Sequence, residues 1–396
     1  MDPNLPTRPV PKLALFELGF RPFFAGATFM SAALMLTWLN NFTLGHPMML
    51  SGLSGPFWHG HEMVFGYALA VAAGFLLTAI RNWTNIQTLR RAPLAVIFLL
   101  WLGARIGFLI NAPLGLVAAM DLLFLAGLTA AVFQPLLKAR QWKNIGIASK
   151  IGLMLLANIV FYLGATGVIA DGQRIGLFAG FYVILALIFT LGRRVMPFFI
   201  ERGLDEPVVL PNKPWIDRSS LWLFLAFAIA DIISPTHWTT LALAAALFIV
   251  HSIRFAGWYH PGIWKKPLLW VLMLGYGWMI AAFAIKILEA FVSLPPNLAT
   301  HAFAIGAIGI TTTGMMARIS LGHSGRNIHQ PPAIVAPVFL LLALAAVVRV
   351  VLPMLFAGQY MLWIGLSQGL WIAAFLLLFA SYLPMWLKAR ADGRPG

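Results

Sequence analysis

Long apolar runs, broken by short polar gaps rich in proline, glycine and basic residues, recur along the whole chain. A helix rising ~1.5 Å per residue needs roughly 20 mainly apolar residues to cross ~30 Å of hydrocarbon. Twelve windows of about that length can be placed, at residues 23–42, 58–80, 93–111, 114–137, 151–170, 177–200, 219–234, 239–256, 268–291, 301–319, 332–355 and 361–386. The seventh is short and ends at the polar stretch DIISPTHW. The pattern predicts an all-α integral membrane protein: one domain over residues 1–396, with about twelve transmembrane helices in a single bundle, an N-terminal segment 1–22 and a tail 387–396. No short repeat is visible, although six plus six spans would permit two pseudo-symmetric halves.

Composition agrees, since 61% of residues are hydrophobic and only 10% charged, far from the soluble average. The formal charge of +15 would suggest nucleic acid in a soluble chain. Here the positions of the basic residues give a different reading. With the N-terminus inside, all 27 Lys and Arg except Arg105, Arg174, Lys286 and Arg349 fall at inner connections, from Arg8 and Lys12 through to Arg394. That bias predicts cytoplasmic termini, an even number of spans, and a lipid bilayer rather than nucleic acid as partner. The opening MDPNLPTRPVPK lacks the pattern of a cleaved signal peptide. With no cysteine, metal chemistry is left to His, Met and carboxylates.

Topology sorts the candidate groups into two levels. At the outer level, GPFWHGHEMVFG brings His59, His61 and Glu62 to the mouth of the second span, and His301 opens the tenth. These histidines are read as one metal-bearing site, the alternative being helix ends solvated at the interface. His59 and His61 lie ~200° apart on a regular helix, so both face one ion only if the backbone near Gly60 is irregular. In a regular helix His59 is the one to keep, on a stripe with Glu62, Met63, Gly66, Ala70 and Ala73. Lys286 and Glu289, spaced i,i+3 at the same level, either pair with each other or leave Glu289, like Glu62, to carry protons. At the inner level, His251 and Met273 reach comparable depths on adjacent spans and could clasp a haem, the alternative being that Met273 fills core. Arg105 and Asp121 flank the turn NAPL and predict a buried ion pair. Arg21, Arg81, Arg193, Arg194, Arg318, His323 and Arg326 gather at the inner mouth. They either set topology or offer guanidinium forks to carboxylates such as haem propionates.

The motifs ELGFRPFF, WHGHEMVFG, GFLLTAIRNWT, PFFIERGL, PLLWVLMLGYGW and HAFAIGAIGITTTGMMARISLGHSGR together resemble the NnrS family of bacterial inner-membrane proteins. The resemblance runs over nearly the whole chain, and the last block is its most specific part. It implies a twelve-span protein of the bacterial inner (cytoplasmic) membrane that contains haem, of the b type, and copper. It also implies a link to denitrification and to tolerance of nitric oxide. The position of Met273 is commonly His in that family. The sharpest expectation is a nitric oxide-reducing metalloenzyme with metal on His59, His61 and His301, protons from Glu62 or Glu289, and electrons from a quinol or a protein donor. The alternatives are a non-catalytic sensor or carrier of haem or copper and, third, a small-molecule transporter.

Overall fold

The computed structural model describes residues 13–211 and 213–393, so Arg8, Lys12 and Arg394 lie outside the described residues. Among the described residues no strand occurs, and the long helices are α1 (Phe20–Thr43), α2 (Gly55–Thr84), α3 (Arg91–Leu109), α4 (Leu114–Lys138), α5 (Trp142–Ala165), α6 (Gly172–Gly203), α7 (Pro214–Ile233), α8 (Trp238–Trp258), α9 (Pro267–Leu288), α10 (Leu298–His323), α11 (Val335–Leu355) and α12 (Ala357–Leu387). Eleven of these are long and apolar enough to span a membrane. The expected count of twelve is met in helices but not in that stricter sense. The exception is α7, whose 20 residues include Asp217, Arg218 and Asp231. It packs against α6 and α8 like its neighbours. Its two carboxylates meet cations of other helices, Asp217 with Arg254 at 2.5 Å and Asp231 with Lys286 at 2.6 Å. Pairing lowers the cost of charges in an apolar setting, which apolar length alone does not register.

Short connections make consecutive helices neighbours, and α1 closes the bundle by packing on both α2 and α12. Glycine sets the closest approach: a Cβ at Gly172 would lie 2.8–2.9 Å from the backbone of Gly164 and Val160, so α5 and α6 touch through their main chains there. Burial identifies the centre. The most apolar windows of α2 and α10 are 89% and 78% buried, against 33% for α3 and α8, whose outer faces carry the apolar side chains suited to lipid. The two central helices are therefore the ones that carry His59, His61, Glu62 and His301.

One end of the bundle is tied together by polar groups. Arg21 donates from one terminal nitrogen to the carbonyls of Met385 and Trp386, both at 3.1 Å, and to that of Lys388. A guanidinium thus satisfies the carbonyls that α12 leaves free at its C-terminus. Glu17 ties the segment before α1 to Arg90 and Arg91 at the start of α3.

Candidate functional site

Both central helices begin regularly and then widen. In α2 the backbone is α-helical over Gly55–His61 and π-helical over Glu62–Ala68; in α10 it is π-helical over Ala302–Gly309. A π segment shifts the hydrogen-bond register and releases carbonyls to side-chain donors. Trp101 Nε1 donates to Gly66 O at 2.9 Å, and Arg105 donates to Phe65 O at 3.3 Å. Because residues 58–61 are regular, His59 and His61 leave the helix on different faces. The three-histidine site expected from the sequence is therefore not assembled.

His61 enters a fully buried polar network with Glu62, Arg105 and Asp121. The predicted Arg105–Asp121 pair is present at 2.9 Å, and Arg105 Nε also lies 2.8 Å from Glu62 Oε2, an ion contact without the alignment of a hydrogen bond. Asn158 donates to Asp121 Oδ2 at 2.8 Å, which turns its own Oδ1 toward His61 Nε2 at 2.9 Å. That nitrogen must carry a proton, since Asn158 Oδ1 and Asp121 Oδ2 (3.4 Å away) are both acceptors. His61 Nδ1 lies 3.1 Å from Glu62 Oε1, so one further proton sits between them. With it the four groups sum to zero charge, as burial demands. Tyr162 completes the set by donating to Asp121 at 3.2 Å. Gly66 makes room for the pair, because a Cβ there would lie 3.1 Å from Arg105 Cδ and 3.3 Å from Glu62 Oε2. Glu62 thus belongs with His61, not on the His59 stripe, and the π register accounts for that correction.

His59 faces the other way, into a cavity of ≈ 440 Å³ that it shares with His301. Its ring stacks on Trp38 with centroids 4.7 Å apart and planes at 4°, while its Nδ1 is buried without a hydrogen-bond partner. His301 is fixed differently. Asn297, in the left-handed conformation at φ 62°, presents its carbonyl to the main-chain N–H of His301 at 3.0 Å and to the ring Nδ1 at 2.8 Å. A proton on Nδ1 leaves the lone pair on Nε2, the tautomer that suits a metal ligand. Arg349 of α11 sits against the same ring, 3.2 Å from Nδ1 and 3.4 Å from Nε2, and lies 3.4 Å from Tyr360 Oη. The remaining walls are mostly apolar and include the thioethers of Met35 and Met63.

The donor set decides which groups fit. Among the described residues no cluster of three or more His, Cys, Asp or Glu could hold a metal ion. Two imidazoles lining one apolar cavity are donors that would suit a haem iron, and with the thioethers of Met35 and Met63 they would offer a soft set to Cu(I). A three-histidine copper site does not fit.

The other predicted sites resolve as follows. His251 meets Tyr276, three residues on from Met273, with Nδ1 and the phenol oxygen 2.5 Å apart. Its ring stacks against Phe189 at 4.5 Å, and its Nε2 is buried without a hydrogen-bond partner. Met273 is buried in the core. Lys286 pairs with Asp231 rather than Glu289, and Glu289 accepts from the N–H of Ala299 in the first turn of α10 at 3.0 Å. Neither Glu62 nor Glu289 lines the histidine cavity. At the opposite end Arg81 and His323 share a polar cavity of ≈ 350 Å³ with Arg390. Arg318 instead lies 3.9 Å over the ring of Phe199, Arg326 is partly buried with one guanidinium nitrogen unpartnered, and Arg193 and Arg194 line a separate pocket. The inner basic residues are therefore spread over several places.

Sequence reasoning passed over Arg349, Tyr360, Trp38 and Asn158. An arginine in the apolar run LLLALAAVVRVVLPML was a signal in itself, because unpaired charges within spans are costly. A family model described as NnrS protein matches residues 14–390. No curated protein matches the chain.

Proposed function

The chain belongs to the NnrS family, and from that premise we propose that this multi-pass membrane protein binds haem or copper through His59 and His301 and handles nitric oxide there. The observation that carries the reading is that two imidazoles from the two central helices line one apolar cavity, one of them with its tautomer set by a backbone carbonyl. When bound, a haem iron or Cu(I) would supply the metal to which nitric oxide coordinates. The protein does the rest. Asn297 holds His301 with Nε2 free of hydrogen, and Trp38 holds the plane of His59. Apolar walls admit a small lipid-soluble gas and disfavour water and inorganic ions. Positive-inside bias supports a reading in which this end faces outward from a bacterial inner membrane and the Arg81–His323 end faces the cytoplasm.

Reduction of nitric oxide at this site would need electrons from a quinol or a protein donor, and a proton route other than Glu62, which faces His61 and Arg105. Glu289 is the other carboxylate at this end, accepting from the N–H of Ala299, two residues before His301. The test is survival of nitric oxide exposure by cells lacking the native copy. His59→Ala and His301→Ala each abolish protection, while His260→Ala, at the far end beside Glu206, keeps it. Full protection by both cavity variants at normal protein levels would overturn the reading.

A further inference from the structure

Of the cations that the sequence leaves outside the inner connections, Arg105, Lys286 and Arg349 fall within spans, and they are not treated alike. Arg105 meets Glu62 and Asp121, and Lys286 meets Asp231. Arg349, 6% exposed, has no carboxylate within 4.0 Å among the described residues. Its contacts are the His301 ring and the Tyr360 hydroxyl, and its second terminal nitrogen is buried without any partner. An uncompensated guanidinium in such surroundings is destabilising.

A second group points the same way. Thr43 donates to Gln368 Oε1 at 2.7 Å, which leaves Gln368 Nε2 as a buried donor with no acceptor. Arg349 and Gln368 both line the histidine cavity, and no carboxylate does. The cavity therefore has unmet donors and a positive charge in its lining, beside apolar walls from Met35, Ile184, Ile305 and Ile308. A small inorganic anion would meet the charge but leave those walls unfilled, whereas a neutral apolar molecule would do the reverse.

We propose that the cavity takes an amphipathic carboxylate, with the carboxylate on Arg349 and Gln368 and the apolar body against the remaining walls. The proposal rests on the reading of this cavity as the ligand site and adds what the ligand must carry. A planar guanidinium presents two parallel donors to a carboxylate, and drawing it there moves it off the His301 ring. The carboxylate can come from a porphyrin propionate or from a fatty acid of the membrane.

The test uses full-length protein purified in detergent from a host that cannot make haem. Metal-free protoporphyrin IX and its dimethyl ester are titrated by fluorescence anisotropy, and dodecanoate and dodecanol are tried as competitors. Wild type should bind the diacid at least about tenfold tighter than the ester, and Arg349→Gln should erase that preference with little change in affinity for the ester. Displacement by dodecanoate and not dodecanol assigns the carboxylate to lipid as well; resistance to both confines it to the porphyrin. Equal affinity of wild type for diacid and ester overturns the proposal, as does equal loss of both in Arg349→Gln. Without ligand, Arg349→Gln should unfold no earlier than wild type, since it removes an unpaired charge; earlier unfolding would mark Arg349 as structural. His59→Ala separates the two readings, because it should lose the metal-dependent spectrum while keeping the preference for the diacid.

Discussion

Arg105→Gln probes the buried network most sharply. In the folded protein Arg105 is the fixed cation between Glu62 and Asp121, all of them fully buried. Its removal leaves two carboxylates facing one imidazolium, a net charge of −1 in place of zero. Breaking a buried pair costs about 3–5 kcal/mol, and here two partners lose the same cation, so the upper part of that range applies. At ~1.4 kcal/mol per decade this is roughly a thousand- to several-thousand-fold shift toward the unfolded state. The assay is denaturant unfolding in detergent, followed by tryptophan fluorescence, with Trp101 reporting locally through its bond to Gly66. The decisive comparison is Arg105→Gln/Asp121→Asn, which removes one charge of each sign and restores neutrality with Glu62 and protonated His61. It should recover about 1–3 kcal/mol of the loss in the single variant. A single variant within ~0.5 kcal/mol of wild type, or a double variant whose losses simply add, would refute the charge-balanced quartet.

Two further perturbations test neighbouring features. Gly66→Ala places a methyl 3.1 Å from Arg105 Cδ and 3.3 Å from Glu62 Oε2, and should cost about 1–3 kcal/mol in the same assay; a neutral result would show that the π segment has slack. Glu17 is raised by burial, but the hydrogen bonds and charges of Arg90 and Arg91 outweigh this and hold it below its ordinary 4.5. Its folded value being the lower, its contribution is complete above the unfolded value and is lost as pH falls toward the folded one. Glu17→Gln should therefore cost up to ~1 kcal/mol at pH 7 and nothing once the medium is acid enough to protonate Glu17 in both states, and a pH-independent difference would contradict that assignment.

How much was legible in the sequence depends on the kind of signal. Apolar length gave the helices, because a span must satisfy its own backbone. It misjudged α7, whose Asp217 and Asp231 are tolerated only through Arg254 and Lys286 of other helices. The Arg105–Asp121 pair was visible because a tight turn fixes the depth of its flanks. The π segments were not, since nothing in EMVFGYA announces a shifted register, and with them went the side of α2 on which Glu62 emerges. Helical geometry did forecast that His59 and His61 diverge, and His59 lines the cavity that His301 also lines, although Glu62, read onto the His59 stripe, faces His61. Tyr276 at His251 and Arg349 at His301 depend on pairings between helices distant in sequence, which no local pattern encodes.

The central claim is that His59 and His301 hold a metal centre, and its most direct test is the haem and copper content of the full-length protein from iron- and copper-replete cells. The optical spectrum is recorded before and after nitric oxide is added. The account predicts a coloured protein whose bands shift with nitric oxide, and loss of that centre in His301→Ala with the fold intact. A colourless, metal-free wild type, or a His59→Ala/His301→Ala double variant with the same metal content and the same spectral response, would contradict it.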